Sequence, residues 1–155
     1  MIEVREVPWA HPDAVTLRAE QRTEIDARYG TPDSEPGPAP SADDVSAFFV
    51  AYRDGEPLGC GGLRELDASH AEVKRMFVRP AARGSGVSSA VLARLEHTAR
   101  GRGYDRLVLE TGDRQPDAMR FYEREGYVRI PNFGYYADEP SSVCYEKRFT
   151  PPAPA

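Results

Sequence analysis

At 155 residues the chain suits one domain, since two separate cores would each be too small. Hydrophobic residues make up 40% and charged residues 29%, an ordinary globular balance, and no apolar run nears the roughly 18 residues that cross a bilayer. The formal charge of −5 disfavours a nucleic-acid partner, whose phosphates need a basic footprint. Cys60 and Cys144 cannot build a disulfide framework, and with His11, His70 and His97 they lack zinc-ligand spacing. The first eight residues carry Glu3, Arg5 and Glu6 and no apolar signal core. The expectation is a cytoplasmic protein with no metal, nucleic-acid or membrane partner.

Ile2, Val4 and Val7 among charged residues predict a short edge strand. From Ala10 to Tyr29 the residues Ala14, Leu17, Gln21, Ile25 and Tyr29 recur at helical spacing, with Gly30 as the stop. Thr31 to Ser41 is proline-rich without apolar pattern, and reads as a loop. Val45–Tyr52 and Leu58–Leu66 are strands joined by a hairpin turn at 53–56, followed by a third strand from Glu72 to Val78. Gly59, Gly61 and Gly62 mark a bulge or a close approach. A helix from about Gly86 puts Val87, Val91, Leu95 and Thr98 on one face with Leu92 and Ala99 beside them, and stops at Gly101 and Gly103. Leu107–Leu109 is a short apolar strand, Asp117–Glu125 a helix, and Tyr127–Ile130 and Val143–Phe149 the last strands. Meandering strands followed by alternating helices predict an α/β fold with a mixed sheet over 1–150, and 151–155 as a disordered tail.

The segment from Val78 to Ser88 joins a strand to a helix through a loop holding Gly84 and Gly86. Backbone amides in such a loop, backed by the helix dipole, suit a pyrophosphate, and Arg83 adds charge. A Walker loop needs a Lys-Ser/Thr pair that Val87-Ser88 does not supply. A dinucleotide fold is not excluded by spacing, because Glu110 follows at about the right distance, but the motif sits mid-chain behind a meander.

Around this loop stand Glu72–Pro80 (EVKRMFVRP), Arg83-Gly-Ser-Gly86, Leu109-Glu-Thr-Gly112 and Ala118–Tyr127 (AMRFYEREGY). Together they resemble the GCN5-related N-acetyltransferase (GNAT) superfamily, as a small single-domain bacterial-type member, from about Val45 to the final strand. The family signature Arg/Gln-x-x-Gly-x-Gly/Ala falls on Arg83, Gly86 and Ser88, where a small serine replaces the last residue. The resemblance implies acetyl-CoA as co-substrate and a GNAT fold, in which an antiparallel meander leads to a splayed parallel strand pair with crossover helices. It implies that amides of Arg83, Gly84, Ser85, Gly86, Val87 and Ser88 hold the pyrophosphate. Met76, Phe77 and Val78 would pair with the pantetheine arm, in a wedge between strands ending at Val78 and Glu110. Gln115 stands where the family often has an Asn that touches the cofactor.

The same resemblance assigns general-base duty to Glu72 and general-acid duty beside the sulfur to Tyr122, with Glu65 and Glu110 as reserve bases. Strand alternation would put Glu72, Lys74, Met76 and Val78 on one face. A free Glu near pKa ~4.3 matches an amine near ~10.4 poorly, so a raised pKa or a water relay is required. The histidines read as surface or packing residues and the cysteines as apolar fillers. The expected acceptor is a small-molecule amine or amino acid; a protein N-terminus or lysine, a silent CoA-binding module and an NAD(P) oxidoreductase are the alternatives. The expected state is monomer or homodimer. The acceptor pocket is expected between the loops Thr31–Ser41 and Pro131–Ser142, whose acids (Asp33, Glu35, Asp43, Asp44, Asp138, Glu139) and aromatics (Phe133, Tyr135, Tyr136) suit a cation.

Overall fold

The computed structural model describes residues 1–32 and 36–149, so Asp33, Glu35 and the tail at 151–155 lie outside the described residues. The first strand, β1 (Glu3–Glu6), is an edge strand antiparallel to β2 (Val45–Arg53). Between them runs α1 (Pro12–Tyr29). It starts two residues later than the periodicity suggests, because the residue before a proline is held extended and His11 has φ −57° and ψ 137°. The His11 ring nitrogen caps the Asp13 amide at 3.1 Å, and Gly30 ends the helix by donating to the Asp26 carbonyl.

Asp54 and Gly55, both at positive φ, turn β2 into β3 (Glu56–Glu65), and β4 (His70–Val78) completes the meander. A 15-residue helix, α2 (Val87–Gly101), then crosses over to β5 (Arg106–Gly112), which lies parallel to β4. After α3 (Pro116–Arg124) come β6 (Val128–Ile130) and β7 (Ser142–Arg148). The sheet order is β1-β2-β3-β4-β5-β7-β6, with β4–β5 the parallel pair. One helix rather than several makes a crossover between paired parallel strands, because β7 inserts antiparallel between β5 and β6.

Two apolar clusters sandwich the sheet. Phe49, Leu63, Val73, Leu109 and Tyr145 pack with Val91, Leu92 and Leu95 of α2 and Tyr122 of α3. Phe48, Val50, Cys60 and Phe77 pack with Ala14 and Leu17 of α1. Both cysteines are buried, as fillers should be. His70 sits 2.8 Å from Asp67, a carboxylate partner that the sequence reading overlooked. Among the described residues no helix is long and apolar enough to cross a membrane.

Two features of β4 position the site. Its pairing with β5 covers His70, Ala71 and Glu72 against Arg106, Leu107 and Val108, after which the strands part. It also carries a bulge: Lys74 faces Gly62 and Phe77 faces Cys60, so β4 spends three residues where β3 spends two. Arg75 takes up the excess at φ 60°. The expected single face is therefore broken. Glu72 and Lys74 meet Tyr136, whereas Met76 and Val78 join the cluster under α2.

Candidate active site

The parted strands open two cavities. The larger, about 640 Å³, is lined by Phe77 and Val78 at the end of β4 and by Arg83, Gly84, Gly86, Val87 and Ser88. Gly86 has φ 89° and a Cβ there would meet open space, so the backbone is presented bare to the cavity. No amide from Gly84 to Ser89 makes a backbone hydrogen bond among the described residues; the first helical bond runs from Ala90 to Gly86. Unpaired donors at the start of a helix have the geometry and polarity that suit an anion. Ser85 belongs to this loop, its hydroxyl turned back to the Ala82 carbonyl.

The smaller cavity, about 210 Å³, lies in the gap itself, between Val73, Lys74 and Arg75 of β4 and Glu110, Thr111 and Gly112 of β5. Gln21, Ile25, Met76, Gln115, Ala118 and Tyr122 line both cavities and so mark their junction. The Tyr122 hydroxyl has no hydrogen-bond partner among the described residues. Burial drives its phenol far above the ordinary tyrosine range, so it stays protonated, a donor at the junction.

Side chains cap the free edge of β4 where a pantetheine strand is expected. Gln21 Nε2 donates to the Met76 carbonyl at 2.9 Å, and Arg83 Nε to the Val78 carbonyl at 2.9 Å. Each carbonyl keeps a second lone pair. The Arg83 guanidinium also pairs with Glu24 at 2.8 Å, so its charge is already compensated rather than spare for a phosphate.

Glu72 is 2% exposed and lines neither cavity. Its carboxylate accepts from Tyr136 at 2.6 Å and lies 3.6 Å from Lys74 Nζ and 3.7 Å from Arg64. Lys74 also donates to the Tyr136 hydroxyl at 3.0 Å and reaches the smaller cavity. Glu110 lies on the cavity wall and accepts from the Ser142 hydroxyl at 2.6 Å. Glu65 points elsewhere, accepting from Tyr104.

The two expected loops supply part of the smaller cavity, through Pro36, Glu139 and Ser141. Asp138 is exposed and off its wall, Asp44 is spent on Arg64 at 3.0 Å, and Tyr135 is 68% exposed. Besides β4, β5 and α3, α1 forms a wall with Gln21, Arg22, Ile25, Asp26 and Tyr29, and Lys74 and Arg75 add cationic groups. The rim is thus of mixed charge rather than acidic. Gln21 at a core position of an otherwise apolar stripe was the available signal for this wall.

The model of the acetyltransferase (GNAT) family matches residues 11–127. The chain belongs to the GNAT acetyltransferase family. An "IAA acetyltransferase" of Azospirillum brasilense is 40% identical over 101 residues, which is 64% of this chain and 66% of that protein. The match thus spans about two thirds of the relative's length. A Klebsiella pneumoniae structure assigned as an acyl-CoA N-acyltransferase superposes with a TM-score of 0.79 at 30% identity, covering 96% of this chain and 97% of that one. A GNAT acetyltransferase of Elizabethkingia anophelis with acetyl-CoA bound has the same fold, with a TM-score of 0.69 at 15% identity over 96% of this chain and 98% of its own. The parted β4–β5 pair and the bare loop before α2 thus sit within a fold shared with these acyltransferases.

Proposed function

We propose that this GNAT protein transfers the acetyl group of acetyl-CoA to the primary amine of a small molecule. The observation that carries the reading is the protonated, unpartnered Tyr122 hydroxyl at the junction of an anion-binding cleft and a small polar cavity. Amides of Gly84 to Ser88 hold the pyrophosphate, and Met76 to Val78 with Gln115 flank the pantetheine arm toward the junction. The amine enters the smaller cavity and attacks the thioester carbonyl; the C–S bond breaks and an amide forms. Tyr122 donates its hydrogen bond to the departing sulfur. A thiolate whose conjugate acid has a pKa near ~8.5 cannot deprotonate so reluctant a phenol outright, so the hydroxyl steadies the thiolate; the ammonium's first proton goes to the carboxylate before attack, and the second, lost as the amide forms, goes to sulfur.

The carboxylate that takes the amine's proton is Glu110, on the cavity wall. Glu72 is a second reading, favoured by its two-step chain through Tyr136 and Lys74 to the same wall. A volume of about 210 Å³ supports a small acceptor over a protein segment.

Release of CoA thiol across a panel of amines is the assay. Gly86→Glu would put a carboxylate where the pyrophosphate belongs and abolish both acetyl-CoA binding by calorimetry and thiol release. Unchanged affinity in a folded variant would place the cofactor elsewhere. In the same assay, Glu110→Gln should erase the acidic limb of the kcat/KM profile and Glu72→Gln should leave it; the reverse result selects the relay.

A further inference from the structure

Three side-chain atoms on one wall of the smaller cavity are buried and have no hydrogen-bond partner among the described residues: Gln21 Oε1, Asp26 Oδ1 and Tyr29 Oη. Buried polar atoms are nearly always paired, and an orphan costs the full desolvation of the group. Three beside one cavity is a pattern. At about 100° per residue, Tyr29 lies about 80° and Asp26 about 140° round α1 from Gln21, so the three spread over the part of the helix that borders the cavity. Gln21 is 8% exposed, and its amide nitrogen is fixed on the Met76 carbonyl, which leaves its oxygen as the open valence. Tyr29 is seated so close to Gly112 that a Cβ there would fall 1.6 Å from its hydroxyl.

The unmet groups are acceptors. Gln21 Oε1 and the Asp26 oxygen can only receive a hydrogen bond from a neutral or cationic donor, and Tyr29 can do so as well. The cationic groups of the same cavity, Arg22, Lys74 and Arg75, all have partners already, so the open valences are not theirs. A ligand that fits must bring N–H or O–H groups. Gln21 stands at the junction of the two cavities. Asp26 lies five residues on, about 7.5 Å along the helix axis at 1.5 Å per residue. The cavity equals roughly seven water volumes at about 30 Å³ each.

We propose that α1 is the recognition wall for the acceptor, which is an amine of amino-acid size carrying a second hydrogen-bond donor, an amino or hydroxyl group, about six bonds from the reacting nitrogen. Gln21 orients the reacting N–H, and Asp26 with Tyr29 receives the distal donor. This rests on the acetyl-transfer reading and adds its substrate class.

The test compares pentylamine, 5-aminopentan-1-ol and 1,5-diaminopentane by CoA thiol release at saturating acetyl-CoA. The two compounds with a distal donor should exceed pentylamine in kcat/KM by at least tenfold, with the difference in KM. Asp26→Ala should bring the ratio to within twofold, with its melting temperature and acetyl-CoA affinity recorded to certify the fold. Asp26→Asn, which keeps an acceptor oxygen and removes the charge, should retain the preference for the amino alcohol and lose it for the diamine. Equal kcat/KM for all three amines overturns the proposal while leaving acetyl transfer standing. So does a preference that survives Asp26→Ala. Failure to turn over any of the three, with acetyl-CoA still bound, overturns it as well; failure to bind acetyl-CoA overturns the reading beneath it.

Discussion

Tyr122 illustrates how one side chain separates catalysis from packing. Its ring is part of the core, 5.7 Å from Tyr127 and 5.2 Å from Phe121, while its hydroxyl makes no bond within the described protein. Tyr122→Phe should therefore leave the melting temperature unchanged or slightly raised, because no hydrogen bond is lost and a polar atom leaves a buried position. It should lower kcat by roughly 10–100-fold, part of the 10²–10⁴ of a full acid, since water can replace a donor there. KM for acetyl-CoA should move little. A wild-type kcat at saturating amine would reduce Tyr122 to a packing residue. At this scale the sequence revealed motif positions and concealed their partners. Gly86 and Ser88 were legible because a strand–glycine–helix junction has a local pattern. The engagement of Arg83 by Glu24, and of Glu72 by Tyr136, was not, because these partners are 59 and 64 residues apart and no local period encodes that.

Among the elements, most boundaries followed the local signals to within a residue or two, with Pro12, Gly30, Asp54-Gly55 and Pro116 acting where they stand, but β5 runs three residues past the apolar Leu107–Leu109. The three β3 glycines, read as a bulge or a close approach, mark both, although the extra residue lies on the facing strand β4. Gly61 is where Met76 Sδ sits, 2.5 Å from any Cβ placed there, and Gly59 lies under the Phe77 carbonyl and Val87. Alanine at Gly59 would bring its Cβ to 2.8 Å from that backbone oxygen and 2.9 Å from Val87 Cγ1. The oxygen cannot step aside without moving β4, so overpacking should cost roughly 1–3 kcal/mol and lower Tm by roughly 3–10 °C. Because Phe77 and Val87 border the larger cavity, the proposed acetyl-CoA cleft, affinity for acetyl-CoA should fall too. Gly101 is the contrast. It ends α2 with nothing within 4 Å of a Cβ, so Gly101→Ala should be neutral or stabilise by up to about 1 kcal/mol. Differential scanning calorimetry on the two variants tests the pair; similar shifts in both would remove the close-approach account of the β3 glycines.

Over the whole molecule, several phenols are set into the sheet and its covering helices where burial or a carboxylate raises them. Tyr52 donates to Asp13 at 2.6 Å and Tyr145 to Glu123 at 2.7 Å, and burial with these carboxylates pushes both up to about 12. Tyr122 is driven higher by burial, and Tyr127 higher still by burial and Glu96, to which it donates at 3.0 Å. A free tyrosine titrates near ~10. Above that pH the unfolded chain releases phenolic protons that the folded chain keeps, so the native state binds more protons and stability must fall as pH rises. Below about pH 10 the tyrosines contribute a constant stabilisation. Above it each deeply buried one withdraws up to about 1.4 kcal/mol per pH unit. Thermal unfolding followed through this range should show a plateau and then a steepening decline, with phenolate absorbance appearing together with unfolding rather than before it. Lysines also titrate near ~10.4, and Lys147 holds the same Glu96 at 3.1 Å, so the discriminating comparison is Tyr127→Phe. That variant starts less stable, having lost its bond to Glu96, and its alkaline decline should be shallower by about one proton's slope. A variant curve parallel to the wild type would assign the alkaline limb to the lysines instead.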